Sequence, residues 1–109
     1  MEVEFTEIDL SKQSFWYNRG EDIRTDVDLS QFAGQIIETV EMAERIGNEI
    51  LAQEQAQGFL RDRVLWSIHH DPYRNIWIFT YGEYPPIPGE TFFASVDGNT
   101  SELRRMWVD

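Results

Sequence analysis

The chain has 109 residues, the length of one compact domain, and its 20 acidic and 9 basic residues give a formal net charge of −11. This negative charge disfavours nucleic acids and anionic membranes as partners, because both are bound by Lys and Arg. The sequence contains no cysteine, which excludes disulfide bonds, a thiolate nucleophile and a cysteine zinc site.

Residues 1–35 carry the weakest structural patterns of the chain. The first residues lack the basic and apolar regions of a secretion signal, so we expect a cytoplasmic protein. Residues 1–10 alternate loosely between polar and apolar types and permit one short strand. Residues 11–28 are rich in turn-forming types, and apolar residues at helical spacing predict a short helix from Ser30 to Ile37.

The clearest element is an amphipathic helix that begins after Thr39 and ends at Gly58. The Thr39 hydroxyl can accept hydrogen bonds from amides of the first turn. Four small or apolar residues recur at positions i, i+3, i+4 and i+7: Ala43, Ile46, Gly47 and Ile50. Glycine inside a helix costs about 1 kcal/mol relative to alanine, so we expect Gly47 to let another element approach closely.

Alternating polar and apolar residues after Gly58 predict four antiparallel strands. In the first strand, Val64, Trp66 and Ile68 are expected on one face. The predicted strands occupy about residues 64–69, 76–81, 91–96 and 103–108, and the proline-rich residues 85–89 interrupt the series. A helix followed by a four-stranded meander predicts an α+β fold, with residues 1–109 forming a single domain around a curved antiparallel sheet.

Aromatic residues on these strands are expected to divide between two faces of the sheet. A sheet packed on a helix buries one face, so about half of them should lie in the core and the rest on an open concave face or its rim. The alternative is that they all close a small core. The set comprises Trp66, Trp77, Phe79, Tyr81, Phe92, Phe93 and Trp107.

Residues 36–108 resemble a bacterial immunity-protein family with a nuclear-transport-factor-like, or cystatin-like, fold. The similar strings are residues 39–51 (TVEMAERIGNEIL), 77–82 (WIFTYG), 85–89 (PPIPG), 92–98 (FFASVDG) and 103–107 (LRRMW). The resemblance implies a cone of curved antiparallel sheet wrapped against a helix. It also implies an antitoxin-like protein that neutralises a cognate toxin domain in bacterial competition.

Side chains that could support catalysis are few. Residues 69–71, His-His-Asp, have acid–base character, but neighbouring strand positions point to opposite faces, so the two histidines are not expected to share a metal ion. Turn chemistry explains Asp97, and solvated loops explain Glu83 and Glu90. No phosphate-binding loop, nucleophile elbow or metal-binding helix motif is recognised, so no catalytic residue, metal or cofactor is assigned.

The expected partner-binding segment joins aromatic residues to acidic ones. Rigid aromatic anchors beside negative charge favour contact with a basic protein, because buried aromatics hold a complex and charge steers its formation. Alternatively, the aromatic triplet Phe15-Trp16-Tyr17 is a strap tucked into the fold, and the acidic excess serves solubility. The candidate residues are Trp16, Tyr17, Glu21, Asp22, Asp26 and Asp28.

Three functions are compatible with these patterns. The leading hypothesis is a non-enzymatic immunity protein that inhibits a toxin domain, with a basic toxin surface as the expected partner. The second is a small-ligand binding or enzymatic domain of the same cone-like fold, and the third is an adaptor that dimerises through its sheet. A ligand binder requires a deep pocket with convergent polar groups, whereas an inhibitor can present a flat or convex patch.

Overall fold

The computed structural model describes residues 2–12, 20–83 and 91–109. Six strands and two helices follow one another in the order β1 (Glu4–Glu7), β2 (Glu21–Asp22), a 3-10 helix (Ser30–Phe32), α1 (Val40–Ala56), β3 (Arg63–Asp71), β4 (Ile76–Glu83), β5 (Phe92–Asp97) and β6 (Leu103–Val108). The strands form one sheet in the order β1-β3-β4-β5-β6-β2. Strand β1 is parallel to β3 and the other neighbours are antiparallel, so the fold is α+β with one α-helix packed on a mixed sheet.

The predicted four-stranded meander corresponds to β3–β6, but the prediction of about four strands was wrong. The N-terminal residues add β1 at one edge and β2 at the other, which gives six strands. These two strands are only 4 and 2 residues long, and every residue in them is exposed. They therefore lack the run of alternating apolar residues that identifies a longer strand from sequence. Their positions in the sheet are set by pairing with β3 and β6, the two edge strands of the meander.

The helix predicted from Ser30 to Ile37 is a single 3-10 turn. Gly34 has a φ of +79°, a left-handed conformation that stops helical propagation directly after the turn. Phe32 is buried in the core, as is Ile37, whereas Ile36 is exposed. The apolar residues of this stretch thus reach the core from a turn and an extended segment rather than from one helical face.

Helix α1 follows the sequence prediction closely and packs on β3 and β4. The Thr39 hydroxyl accepts a hydrogen bond from the Met42 amide at 3.1 Å, which caps the first turn. A Cβ atom built at Gly47 would lie 2.7 Å from the Phe79 ring, so the backbone of the helix touches the sheet here. Among the described residues, no helix has both the length and the apolar character needed to span a bilayer.

A β-bulge changes the faces predicted for β3. The register between β3 and β4 shifts between Leu65 and Ser67. As a result Leu65 and Ile68 both contribute to the core beneath α1, whereas Trp66 contacts Gly82. The expectation that Trp66 and Ile68 share a face was wrong, because strict alternation fails where one strand contains an extra residue.

The face of the sheet opposite α1 is also covered. Ile8 and Leu10, which follow β1, form a second apolar cluster with Ile78 and Trp107. Trp107 is fully buried and stacks on Phe93 with ring centroids 5.2 Å apart. The expectation that the second set of strand aromatics lies on an open face was therefore wrong for Trp107, because the N-terminal residues cross onto that face.

We predict that Gly47→Ala destabilises the protein despite the higher helix propensity of alanine. Alanine is favoured over glycine by about 1 kcal/mol in a helix, but the added methyl group must displace the fully buried Phe79 ring. Overpacking of this kind costs about 1–3 kcal/mol. Chemical denaturation should therefore give a lower free energy of unfolding for Gly47→Ala.

The matched control is Asn48→Ala, one position along the same helix on its exposed side. This change should leave the free energy of unfolding unchanged or raise it slightly. A Gly47→Ala protein that is more stable than the wild type would show that the helix and the sheet are not in close contact at this point.

Candidate protein-interaction surface

Residues 21–28, here called the acidic segment, run along the β6 edge of the sheet and then cross toward α1. Strand β2 pairs Glu21 with Val108 and Asp22 with Trp107, and the Ile23 amide donates to the Met106 carbonyl at 2.8 Å. Beyond this point side-chain burial alternates along the segment. Its inward-facing residues are Ile23, Thr25 and Val27, and its exposed residues include Asp22, Asp26 and Asp28.

Two side chains of α1 hold the acidic segment in place. The Gln53 side-chain oxygen accepts a hydrogen bond from the Asp28 amide at 2.7 Å, and the Gln53 side-chain nitrogen donates to the Asp28 carbonyl at 2.7 Å. The Thr25 hydroxyl donates to the carboxylate of Glu54, which is buried. These side-chain hydrogen bonds therefore hold the part of the acidic segment that lies beyond β2.

The acidic segment carries four carboxylates and one basic side chain, Arg24, so its own net charge is −3. Asp22 forms an ion pair with Arg105, whose guanidinium lies 4.5 Å from the centroid of the Trp107 ring. Among the described residues, no basic side chain forms an ion pair with Glu21, Asp26 or Asp28. These three carboxylates therefore present net negative charge to solvent.

The Asp28 carboxylate also has a structural role at the start of the 3-10 helix. Its Oδ1 atom accepts a hydrogen bond from the Ser30 amide at 2.9 Å. This amide bond, supported by the side chain of Ser30, holds the pKa of Asp28 below its ordinary value. The carboxylate is consequently ionised at neutral pH and held in a defined position.

Two adjoining cavities lie between the acidic segment and β6. The larger, of about 430 Å³, is lined by residues 27–30, 33–34 and 100–103. The second, of about 340 Å³, is lined by residues 22, 23, 25 and 103–106. Leu103 contributes to the lining of both, and the two cavities together are here called the acidic groove.

The structure describes four of the six predicted partner-binding residues. Glu21, Asp22, Asp26 and Asp28 lie on the acidic segment, whereas Trp16 and Tyr17 lie outside the described residues. Sequence reasoning missed Glu102 and Leu103, which form the opposite wall of the groove. They follow a turn predicted from Asp97-Gly98-Asn99, but nothing local in the sequence indicates that this turn faces the acidic segment.

The two histidines of the His-His-Asp string lie on opposite faces of β3, as strand alternation predicts. His70 stacks on Trp77 with ring centroids 4.0 Å apart, and its Nε2 atom lies 2.8 Å from Asn75 Oδ1. His69 faces the other side, where its Nε2 atom lies 3.4 Å from the Ser67 hydroxyl. Burial lowers the pKa of His69, although the charge of Glu4 opposes this effect.

Asp71 is fully buried and organises the turn between β3 and β4. Its Oδ1 atom accepts hydrogen bonds from the amides of Tyr73 and Arg74 at 2.8 and 3.2 Å. Its Oδ2 atom accepts from the Leu10 amide at 3.2 Å and from the Arg74 guanidinium at 2.8 Å. Burial alone would raise the pKa of Asp71, but the bonds from Arg74, Leu10 and Tyr73 outweigh burial and lower it.

The remaining acidic candidates also have structural partners or lie outside the description. Asp97 accepts hydrogen bonds from Arg104 at 2.6 Å and from the Asn99 amide at 2.7 Å, and the Arg104 bond is the main cause of its lowered pKa. Glu83 forms an ion pair with Arg63 at 2.6 Å across β3 and β4. Glu90 and the proline-rich residues 85–89 lie outside the described residues.

Comparison with known proteins adds no family to these observations. No protein-family model, curated protein or solved structure matches the chain. Within residues 2–12, 20–83 and 91–109, no three His, Asp or Glu side chains are grouped so that they could hold a metal ion.

We predict that Asp71→Asn destabilises the protein in a pH-dependent way. The folded-state pKa is lowered, so the ionised carboxylate stabilises the fold above the unfolded pKa of about 4, and this contribution is lost as pH falls through the folded pKa. Hydrogen bonds to a charged group contribute about 1.5–3 kcal/mol each. Denaturation at neutral pH should show a clear loss of stability that shrinks below about pH 4.

Asp62→Asn serves as the control, because Asp62 is exposed. It should change stability little at either pH. If the stability difference between Asp71→Asn and the wild type is the same at neutral and acidic pH, the buried residue does not act as a carboxylate.

Proposed function

We propose that this chain is a non-enzymatic inhibitor, an immunity protein that binds a basic toxin domain through the acidic segment. The observation that carries the proposal is that Glu21, Asp26 and Asp28 present uncompensated charge on a backbone fixed by α1. The resemblance of residues 36–108 to bacterial immunity proteins supplies the class of partner. The proposal includes the curved, cone-like sheet that this resemblance implies.

A large net negative charge suits an inhibitor that must find a basic target quickly. Residues 1–60 contain 13 acidic and 4 basic residues, a net charge of −9, and the remaining residues carry −2. A negative field of this kind raises the rate of encounter with a basic surface, and salt screens it over a Debye length of about 10 Å at 0.1 M. The proposed function therefore predicts that added salt lowers the rate at which this chain associates with its partner.

The acidic segment is also pre-organised. Hydrogen bonds from Gln53 and to Glu54 hold it before any partner arrives, so binding does not have to order its backbone. Lower ordering cost leaves more of the contact free energy for affinity. A fixed, charged surface of this kind suits inhibition by binding.

We predict that Asp22→Asn, Asp26→Asn and Asp28→Asn together slow association with the toxin domain encoded beside this chain's gene. Stopped-flow measurements should show a wild-type association rate that falls as salt rises from about 50 to 500 mM. The triple variant should associate more slowly and show a weaker salt dependence. Its dissociation rate should change less, because charge steers encounter more than it holds the formed complex.

A triple variant at exposed acidic residues elsewhere, Glu38→Gln, Glu41→Gln and Asp62→Asn, removes the same formal charge and is the matched control. It should reduce the association rate less than the acidic-segment variant. Equal effects of the two variants would show that net charge alone steers binding. A neighbouring gene product that is not toxic, or whose toxicity this chain does not relieve, would contradict the proposal.

A further inference from the structure

The acidic groove has the shape and chemistry of a site for one basic side chain of a partner protein. We infer that a lysine or arginine side chain of the partner enters the larger cavity, which Asp28 and Glu102 line. This inference rests on the proposed function, because it names the part of the basic partner that the acidic surface recognises.

The larger cavity combines an apolar lining with a carboxylate on each wall. Its apolar lining includes Val27, Leu29 and Leu103, while Asp28 stands on the acidic segment and Glu102 on the strand side. Lysine and arginine side chains match this lining, because each has an apolar stem that ends in a positively charged group. Its volume of about 430 Å³ is ample for one such side chain.

The walls of this cavity are joined by hydrogen bonds, which fix their separation. The Gly34 amide donates to the Thr100 carbonyl at 3.0 Å, and the Ser101 hydroxyl donates to the Gln35 carbonyl at 2.7 Å. Ser101 is itself buried and has a φ of +60°. These hydrogen bonds therefore fix the shape of the cavity.

The charges beside the second cavity do not oppose a basic partner. Arg104 forms an ion pair with Asp97 at 2.6 Å, and Arg105 forms one with Asp22. Both guanidinium groups are therefore balanced within the protein. Asp28 and Glu102 form no ion pair with a basic side chain among the described residues, so the negative charge of the groove remains available.

The test uses the full chain, isotope-labelled for NMR, and three capped tripeptides: acetyl-Val-Arg-Val-amide, acetyl-Val-Gln-Val-amide and acetyl-Val-Glu-Val-amide. The arginine peptide should cause saturable changes in the chemical shifts of backbone amides in residues 27–34 and 100–106, and the other two peptides should bind more weakly.

The variants Asp28→Asn and Glu102→Gln should each weaken binding of the arginine peptide about two- to fivefold, the range expected for one exposed charge pair. Non-saturable shifts, or shifts spread over all acidic surfaces, would overturn the inference.

Glu38→Gln is the matched control, because Glu38 is exposed and does not line the groove. It should leave peptide affinity unchanged, and an effect equal to that of Glu102→Gln would also overturn the inference. Asp28 accepts a hydrogen bond from the Ser30 amide at the start of the 3-10 helix, so Glu102→Gln provides an independent variant if Asp28→Asn disturbs that turn.

The same two groove variants separate this inference from the proposed function. If they leave toxin association and dissociation unchanged while the acidic-segment triple variant slows association, the groove is not the recognition site but the inhibitor proposal stands. If the arginine peptide binds as expected and no neighbouring toxin is neutralised, the groove is a peptide site and the inhibitor proposal fails.

Discussion

The close approach of α1 to β4 at Gly47 is the contact on which the candidate surface depends. The Tyr81 hydroxyl donates to the Gly47 carbonyl at 2.7 Å, and the Phe79 ring lies where a side chain at position 47 would be. Burial, with a smaller contribution from the charge of Glu54, raises the pKa of Tyr81 far above its ordinary value, so its hydroxyl remains a donor. This contact positions the C-terminal half of α1, from which Gln53 and Glu54 hold the acidic segment.

Acidic side chains near the β6 edge fall into two groups: Asp22 and Asp97 balance arginines, while Asp28 and Glu102 face the groove without such partners among the described residues. A surface that only needed solubility would not require carboxylates on both walls of a cavity with an apolar lining. This arrangement favours recognition of a basic group over simple repulsion between molecules.

Sequence patterns predicted α1 and β3–β6 because each of these elements carries its own periodicity and turn signals. Thr39, Gly47 and the turn at residues 97–99 could be interpreted locally, and the structure confirms their roles. The strands β1 and β2, the bulge after Leu65 and the covered face at Trp107 could not be predicted, since each depends on a partner distant in sequence. The groove is the same kind of feature: Asp28 and Glu102 are more than seventy positions apart in the sequence and line the same cavity. Hydrogen bonds between residues 34–35 and 100–101 join the two walls of that cavity.

Recognition of a basic partner through the acidic groove is tested most directly by hydrogen exchange, measured on the protein alone and in complex with the proposed toxin partner. Exchange reports the opening of individual backbone hydrogen bonds, so protection in the complex maps the covered surface. We expect added protection to concentrate in residues 23–34 and 100–106, on the two walls of the acidic groove. Added protection concentrated instead at the exposed β1 edge, with no change in those two ranges, would contradict this expectation.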